Sequence, residues 1–221
     1  MVQTDIRHKP TFATLFTKIP PGEAIIGESD AMASMTANTS IKAKFNGGFF
    51  MALLLRFLGG ESLFVNVFRT RDADPAEVVL TSNSPGDMVE IPVDNQEILV
   101  QPGSFVACTE GLSLSVGWAG FASWLGGEGL FRLKVRGTGR VWVGAYGSIF
   151  EKQVSDEFVV DTSHLVAYES SISLRAGMAG GFFSSIFSGE GFVSRISGPG
   201  KIYLQSRSMA GLTSWTNSHL M

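Results

Sequence analysis

"GGEGLFRLKVRGTGRVWV" occupies residues 126–143, and "SGEGFVSRISGPGKIYLQ" occupies residues 188–205. Both open on Gly-Glu, continue as a strand-like run, break at Gly-x-Gly and resume as a second strand. In the first stretch Phe131, Leu133 and Val135 alternate with Arg132, Lys134 and Arg136, the period-two signature of a half-buried strand. "GTG" (137–139) and "GPG" (198–200) carry the permissive backbone that a tight reversal uses, so each stretch is expected to form a hairpin. Nine residues separate Glu128 from its glycine turn and eight separate Glu190 from its own. A β-bulge in the copy that contains Glu128 is expected to absorb the difference.

Working outward, the opening motif occurs three times: "LGGESLF" (58–64), "LGGEGLF" (125–131) and "FSGEGFV" (187–193). Upstream of each lies a related segment, beginning "EAIIGESDAMAS" at Glu23, "EILVQPGSFVAC" at Glu97 and "EFVVDTSHLVAY" at Glu157. Ten residues after each glutamate stands an alanine: Ala33, Ala107 and Ala167. The expectation is an all-β single domain over 1–221, built from three diverged repeats (about 12–96, 97–156 and 157–208) with pseudo-threefold symmetry and a tail at 209–221. A single repeat leaves its apolar face wet, whereas three close around a shared core. "TFATLFTKIPPGE" (11–23) reads as an opening strand. The tail is expected to fray, with Leu212 and Trp215 available to dock.

Bulk properties agree. Twenty-six glycines and seventeen phenylalanines suit a turn-rich β protein. The net charge of −3 is mild, and Cys108 stands alone, which fits a reducing compartment. No secretory signal is read in "MVQTDIRHKP", and the apolar run at 47–60 is interrupted by Arg56 and too short to span a bilayer. The expected location is the cytoplasm.

Together, "PPGEAIIGESDAMASMT", "GGESLF", "GGEGLF" and "GEGFVSRISGPGKIYLQSR" resemble the altered inheritance of mitochondria protein 24 family over about residues 12–208. The resemblance implies an all-β fold similar to the tryptophan RNA-binding attenuation protein-like, or double-stranded β-helix, fold, repeated within one chain. It implies no established enzymatic activity and supplies no catalytic residues. Its mitochondrial members are linked to inner-membrane organisation, so a mitochondrial address follows only by analogy, for a eukaryotic source.

Three features invite a functional reading. Glu61, Glu128 and Glu190 are equivalent in the repeats; a ring of carboxylates would take a hard cation, while the plainer role is to accept backbone N–H bonds at a glycine-rich corner. The apolar segments ahead of them supply Phe49, Phe50, Leu54 and Leu58; Trp118, Phe121, Trp124 and Leu125; and Phe182, Phe183, Ile186 and Phe187. Trp118, Phe121 and Leu125, like Met178, Phe182 and Ile186, fall at helical spacing, so a short helix or an apolar loop fits each. Exposed together, such segments mark a partner or membrane surface; otherwise they plug the body or bury themselves in a homo-oligomer. The basic face Arg132, Lys134, Arg136 and Arg140 is read as a solvated strand face. Residues 23–96 hold ten acids against five bases and residues 97–156 hold five of each, which argues against nucleic acid.

Catalytic signatures are missing from the sequence. His8, His164 and His219 are far apart, and there is neither a G-x-S-x-G elbow nor a completed dinucleotide or phosphate loop. The expectation is therefore a non-catalytic β scaffold without a cofactor. It binds a protein partner or its own copies through the apolar segments, with peripheral membrane association and cation or small-ligand binding at the glutamates as the alternatives.

Overall fold

The computed structural model describes residues 1–45, 64–101, 103–118, 131–178 and 192–220. β1 (Gln3–Arg7), β2 (Thr14–Ile19), β3 (Ile25–Glu28), β4 (Met32–Met35) and β5 (Thr39–Phe45) come first. β6 (Phe64–Thr70), β7 (Ala76–Thr81), β8 (Met88–Val100), β9 (Phe105–Thr109) and β10 (Leu112–Trp118) follow. β11 (Phe131–Gly144), β12 (Ile149–Val154), β13 (Phe158–Asp161), β14 (Leu165–Glu169), β15 (Ser173–Met178), β16 (Phe192–Ser197) and β17 (Gly200–Gln205) complete the strands. A 3-10 turn at Thr162–His164 and one helix, α1 (Met209–Leu220), are the helical elements among the described residues. The chain is all-β, as its composition implies.

Alternation fixes the faces. In β2, Leu15, Thr17 and Ile19 turn inward, and in β7 Ala76, Val78 and Leu80 do the same. Each fully buried Leu, Ile or Val contributes about 1.5–3 kcal/mol relative to exposure, so these faces select the register.

All the strand ladders are antiparallel. β5 pairs β6, β10 pairs β11, and β15 pairs β16. On the far side of β6, β11 and β16 run β3, the C-terminal part of β8, and β13. Ile25 sits opposite Phe68, Ile98 opposite Val135, and Phe158 opposite Ile196. In the second layer β4, β9 and β14 flank β7, the C-terminal half of β11, and β17, each with a register irregularity. β2, the N-terminal half of β8, and β12 flank the same three strands on their other edge.

Two expectations need correction. The Gly-x-Gly stretches are not hairpin turns. β11 runs unbroken through Gly137, and β16 and β17 pair with different strands rather than with each other. The glycines instead let one strand pass between layers. Gly137 (φ +130°) and Gly198 (φ +106°) hold backbone that side chains disfavour, and a Cβ there would lie 2.6 Å from Gly111 O or 2.5 Å from Ser171 O. The expected bulge is also misplaced. Phe131 to Val143 and Phe192 to Leu204 span equal numbers of residues, so the one-residue difference lies before Phe131 and Phe192. The irregularity in this ladder is at Asn95 of β8 (φ +50°), opposite the Gly137/Thr138 step.

Three apolar clusters form the interior. Leu15, Ile25, Phe68, Val78 and Leu80 centre the first; Ile98, Val100, Leu133, Val135 and Val141 the second; Val160, Leu165, Ile196 and Ile202 the third. Two ladders join the parts. β3 pairs β9, with Ile26 opposite Cys108, and β8 pairs β14, with Leu99 opposite Tyr168.

Candidate interaction surface

Each apolar segment singled out in the sequence connects the two strands of one antiparallel pair. Residues 46–63 join β5 to β6 where Phe45 faces Phe64. Residues 119–130 join β10 to β11 where Trp118 faces Phe131, and 179–191 join β15 to β16 where Met178 faces Phe192. Phe49, Phe50, Leu54, Leu58, Phe121, Trp124, Leu125, Phe182, Phe183, Ile186 and Phe187 lie outside the described residues, as do Glu61, Glu128 and Glu190. Trp118 is the last residue of β10, so the helical spacing read from it begins on a strand.

Arg140, Lys134 and Arg132 of the basic face contact the protein's own groups. Arg140 donates to Thr4 Oγ1 at 2.9 Å and to the Val2 carbonyl at 2.8 Å, lies 3.4 Å from Glu90 Oε2, and rests over the Trp142 ring. Lys134 Nζ is 4.0 Å from Glu97, and the Arg132 guanidinium sits over the Tyr168 ring. These contacts tie β11 to its neighbours, consistent with a structural use of the cations.

The other candidates resolve into packing. Cys108 is fully buried in β9, and burial pushes its thiol up to about 12, which leaves it protonated and unreactive at neutral pH. Burial, reinforced by Glu151 and Glu169, likewise pushes the Tyr203 hydroxyl up to about 12. His164 Nδ1 lies 2.7 Å from the Gln205 carbonyl, which fixes the turn after β13. Among the described residues, no three His, Cys, Asp or Glu side chains converge as a metal site would require. No described helix is long and apolar enough to cross a membrane.

The tail forms a helix, and Leu212 and Trp215 stay exposed rather than docking. Helix α1 buries none of its residues, and Trp215 stacks on His219 within the helix. Sequence reasoning also missed two exposed apolar edges. Met32 and Met35 on β4, and Val159 on β13, are open to solvent. Short strands without charge alternation were the available signal, but whether they lie at an edge depends on distant partners.

Several antiparallel sheets, with one helix and one 3-10 turn among the described residues, place the chain among all-β proteins. It belongs to the family described as Mitochondrial biogenesis AIM24, whose sequence pattern matches residues 4–207. An uncharacterized protein of Streptococcus pyogenes serotype M6 is 27% identical over 196 residues, which covers 84% of this chain and 77% of that protein. The crystal structure of a Streptococcus pyogenes protein is similar with a TM-score of 0.81 at 23% identity, covering 99% of this chain and 100% of that one. This second likeness is one of fold.

Proposed function

We propose that the chain is a triplicated, non-catalytic β scaffold of the tryptophan RNA-binding attenuation protein-like type, which holds a protein partner or its own copies through the three apolar segments. The observation that carries this reading is the recurrence of one pairing scheme in residues 14–81, 88–144 and 149–205. From Ile25, Ile98 and Phe158 to the hairpin ends Phe45, Trp118 and Met178 the count is the same in all three. On these registers Ala24, not Glu23, matches Glu97 and Glu157, and Ser34, not Ala33, matches Ala107 and Ala167. The repeats therefore begin at β2, β8 and β12, earlier than the glutamates suggest. Each apolar segment connects the two strands of the same hairpin in its repeat, which sets the three in equivalent places. Apolar sequence of that sort, where it is exposed, serves as a contact surface.

The test is a triple variant, Trp118→Ser, Trp124→Ser and Phe183→Ser. Its molar mass in light scattering is expected to fall, or a partner recovered with the native chain is expected to be lost. Native mass together with native partners counts against the reading. The same segments, rich in Trp, Phe and Leu, also suit a bilayer interface. Flotation with liposomes tests that alternative, and protein that stays at the bottom at every lipid composition removes it.

A further inference from the structure

We propose that copies of this chain join head to tail, β13 of one pairing antiparallel with β4 of the next, in the manner of the two ladders already present inside the chain. The inference rests on the triplicated reading above but uses a surface distinct from the apolar segments.

Within the chain, β3 of the first repeat pairs β9 of the second, and β8 of the second pairs β14 of the third. The next member of that series would be β13 of the third repeat against the strand matching β9 and β14, which is β4. In the structure β13 and β4 belong to separate sheets. Among the described residues β13 pairs only β16, and β4 pairs only β7. One donor edge and one acceptor edge are thus left over, at opposite ends of the same series.

Burial records the vacancy. Phe105, Val106, Ala107 and Cys108 of β9 are buried, as are Leu165, Val166, Ala167 and Tyr168 of β14. All four residues of β4 are exposed, Met35 at 39%. Val159, which matches Ile26 and Leu99, is 49% exposed. Transferring the internal registers puts Phe158 opposite Thr36, Val159 opposite Met35 and Val160 opposite Ser34 of the next copy. The two exposed apolar side chains then cover each other, as Ile26 and Cys108 do, and as Leu99 and Tyr168 do.

The cores point the same way. Val106, Ala107 and Trp142 of the second repeat complete the first cluster, and Val166, Ala167 and Tyr203 of the third complete the second. The third cluster contains residues of its own repeat, with Leu99 at its margin. The matching contributors are Ala33, Ser34 and Val79, and a following copy would deliver them. Free strand edges are ordinarily guarded by lysine, proline or shortness of the strand. "MASM" and "FVVD" are short but hold neither Lys nor Pro. Because the contact is heterologous, it repeats until a ring closes or a filament grows.

Two single variants test it: Met35→Glu, which blocks β4, and Val159→Lys, which blocks β13. Both residues are exposed in the single chain, so far-UV circular dichroism is expected to stay native. In light scattering the native protein is expected above monomer mass, each variant alone below the native mass, and their equimolar mixture above the mass of either variant alone, since each variant keeps the edge that the other lacks. A native protein that is monomeric, a variant that keeps the native mass, or a mixture that stays at the mass of the separate variants overturns the proposal. Met35→Cys and Val159→Cys proteins, mixed under mild oxidation, are expected to crosslink in a pair that neither forms alone; no crosslink also overturns it. The segment variants separate the two readings. If the serine triple variant loses mass while Met35→Glu and Val159→Lys keep theirs, the edge contact fails and the segment reading stands.

Discussion

β9 and β4 hold the same place, one beside β11 and the other beside β7, yet β9 is sealed and β4 is bare. Their local sequences do not cause the difference. "FVACT" and "MASMT" are both short, weakly polar strands, each with an irregularity against its neighbour. What differs is the strand on the other edge. β9 receives β3, so Val106 and Ala107 close over the first cluster, whereas β4 meets no strand on its edge away from β7 among the described residues. Burial of these two strands is therefore a property of the junction rather than of the strand.

Removing a side chain at a sealed junction tests this most severely. Trp142 of β11 is fully buried in the first cluster, against β2, β3 and β7, so Trp142→Ala is expected to cost about 3–5 kcal/mol in urea unfolding. Val79 occupies the matching position beside the bare edge, and Val79→Ala is expected to cost about 1 kcal/mol or less. Equal losses would erase the contrast.

Next in size are the glycines at the layer crossings. Gly137→Ala and Gly198→Ala each set a Cβ against a carbonyl oxygen in strained backbone, and each is expected to cost about 1–3 kcal/mol. Matching losses sharpen the proposed equivalence of the two crossings, and a large difference breaks it.

A smaller effect comes from the thiol in the sealed junction. In the unfolded chain Cys108 titrates near 9.0, and burial pushes it up to about 12 in the fold. Below pH 9 both states hold the proton and stability is unaffected. Above it the unfolded state releases the proton first, so stability falls as pH rises from 9 towards 12. Between pH 9 and 10 the decline is expected to be about 1 kcal/mol, and Cys108→Ala is expected to remove it. Tyr203 adds a decline of the same sign above pH 10. At the bare edge, a thiol placed by Met35→Cys in a Val159→Lys background is expected to react with a thiol reagent at once, while Cys108 waits for unfolding.

Smallest of all is the tail. Helix α1 buries nothing, so ending the chain after Ser208 is expected to leave the urea midpoint unchanged.

Much of the fold was legible in the sequence, and the illegible part has a common cause. Alternation in "LFRLKVR" gave the inward faces of Leu133 and Val135, and the repeated motifs located β6, β11 and β16. The Gly-x-Gly stretches misled because a glycine between two strands reads the same whether the chain reverses or crosses to another layer. Only the partner decides, and the partners of β11 are β8, β9 and β10, outside the local window. Under the proposed repeat, matching by glutamate and by pairing differ by one residue in the first copy, because the first aligns identical letters and the second follows Ile25, Ile98 and Phe158. The apolar segments were found as sequence, but their anchoring at three hairpin ends emerged from the ladders. The bare edges left no local trace, since exposure there depends on the strand that does not arrive.

β8 and β11 each pass through both layers without a break, whereas the flanking stretches are interrupted, between β2 and β3 and between β6 and β7 on one side and between β12 and β13 and between β16 and β17 on the other. The middle of the molecule is thus stitched by continuous strands, and mechanical compliance collects on both sides of it. A load applied across the body is expected to bend it at residues 20–24 and 71–75 or at 155–157 and 198–199 before the central strands give way.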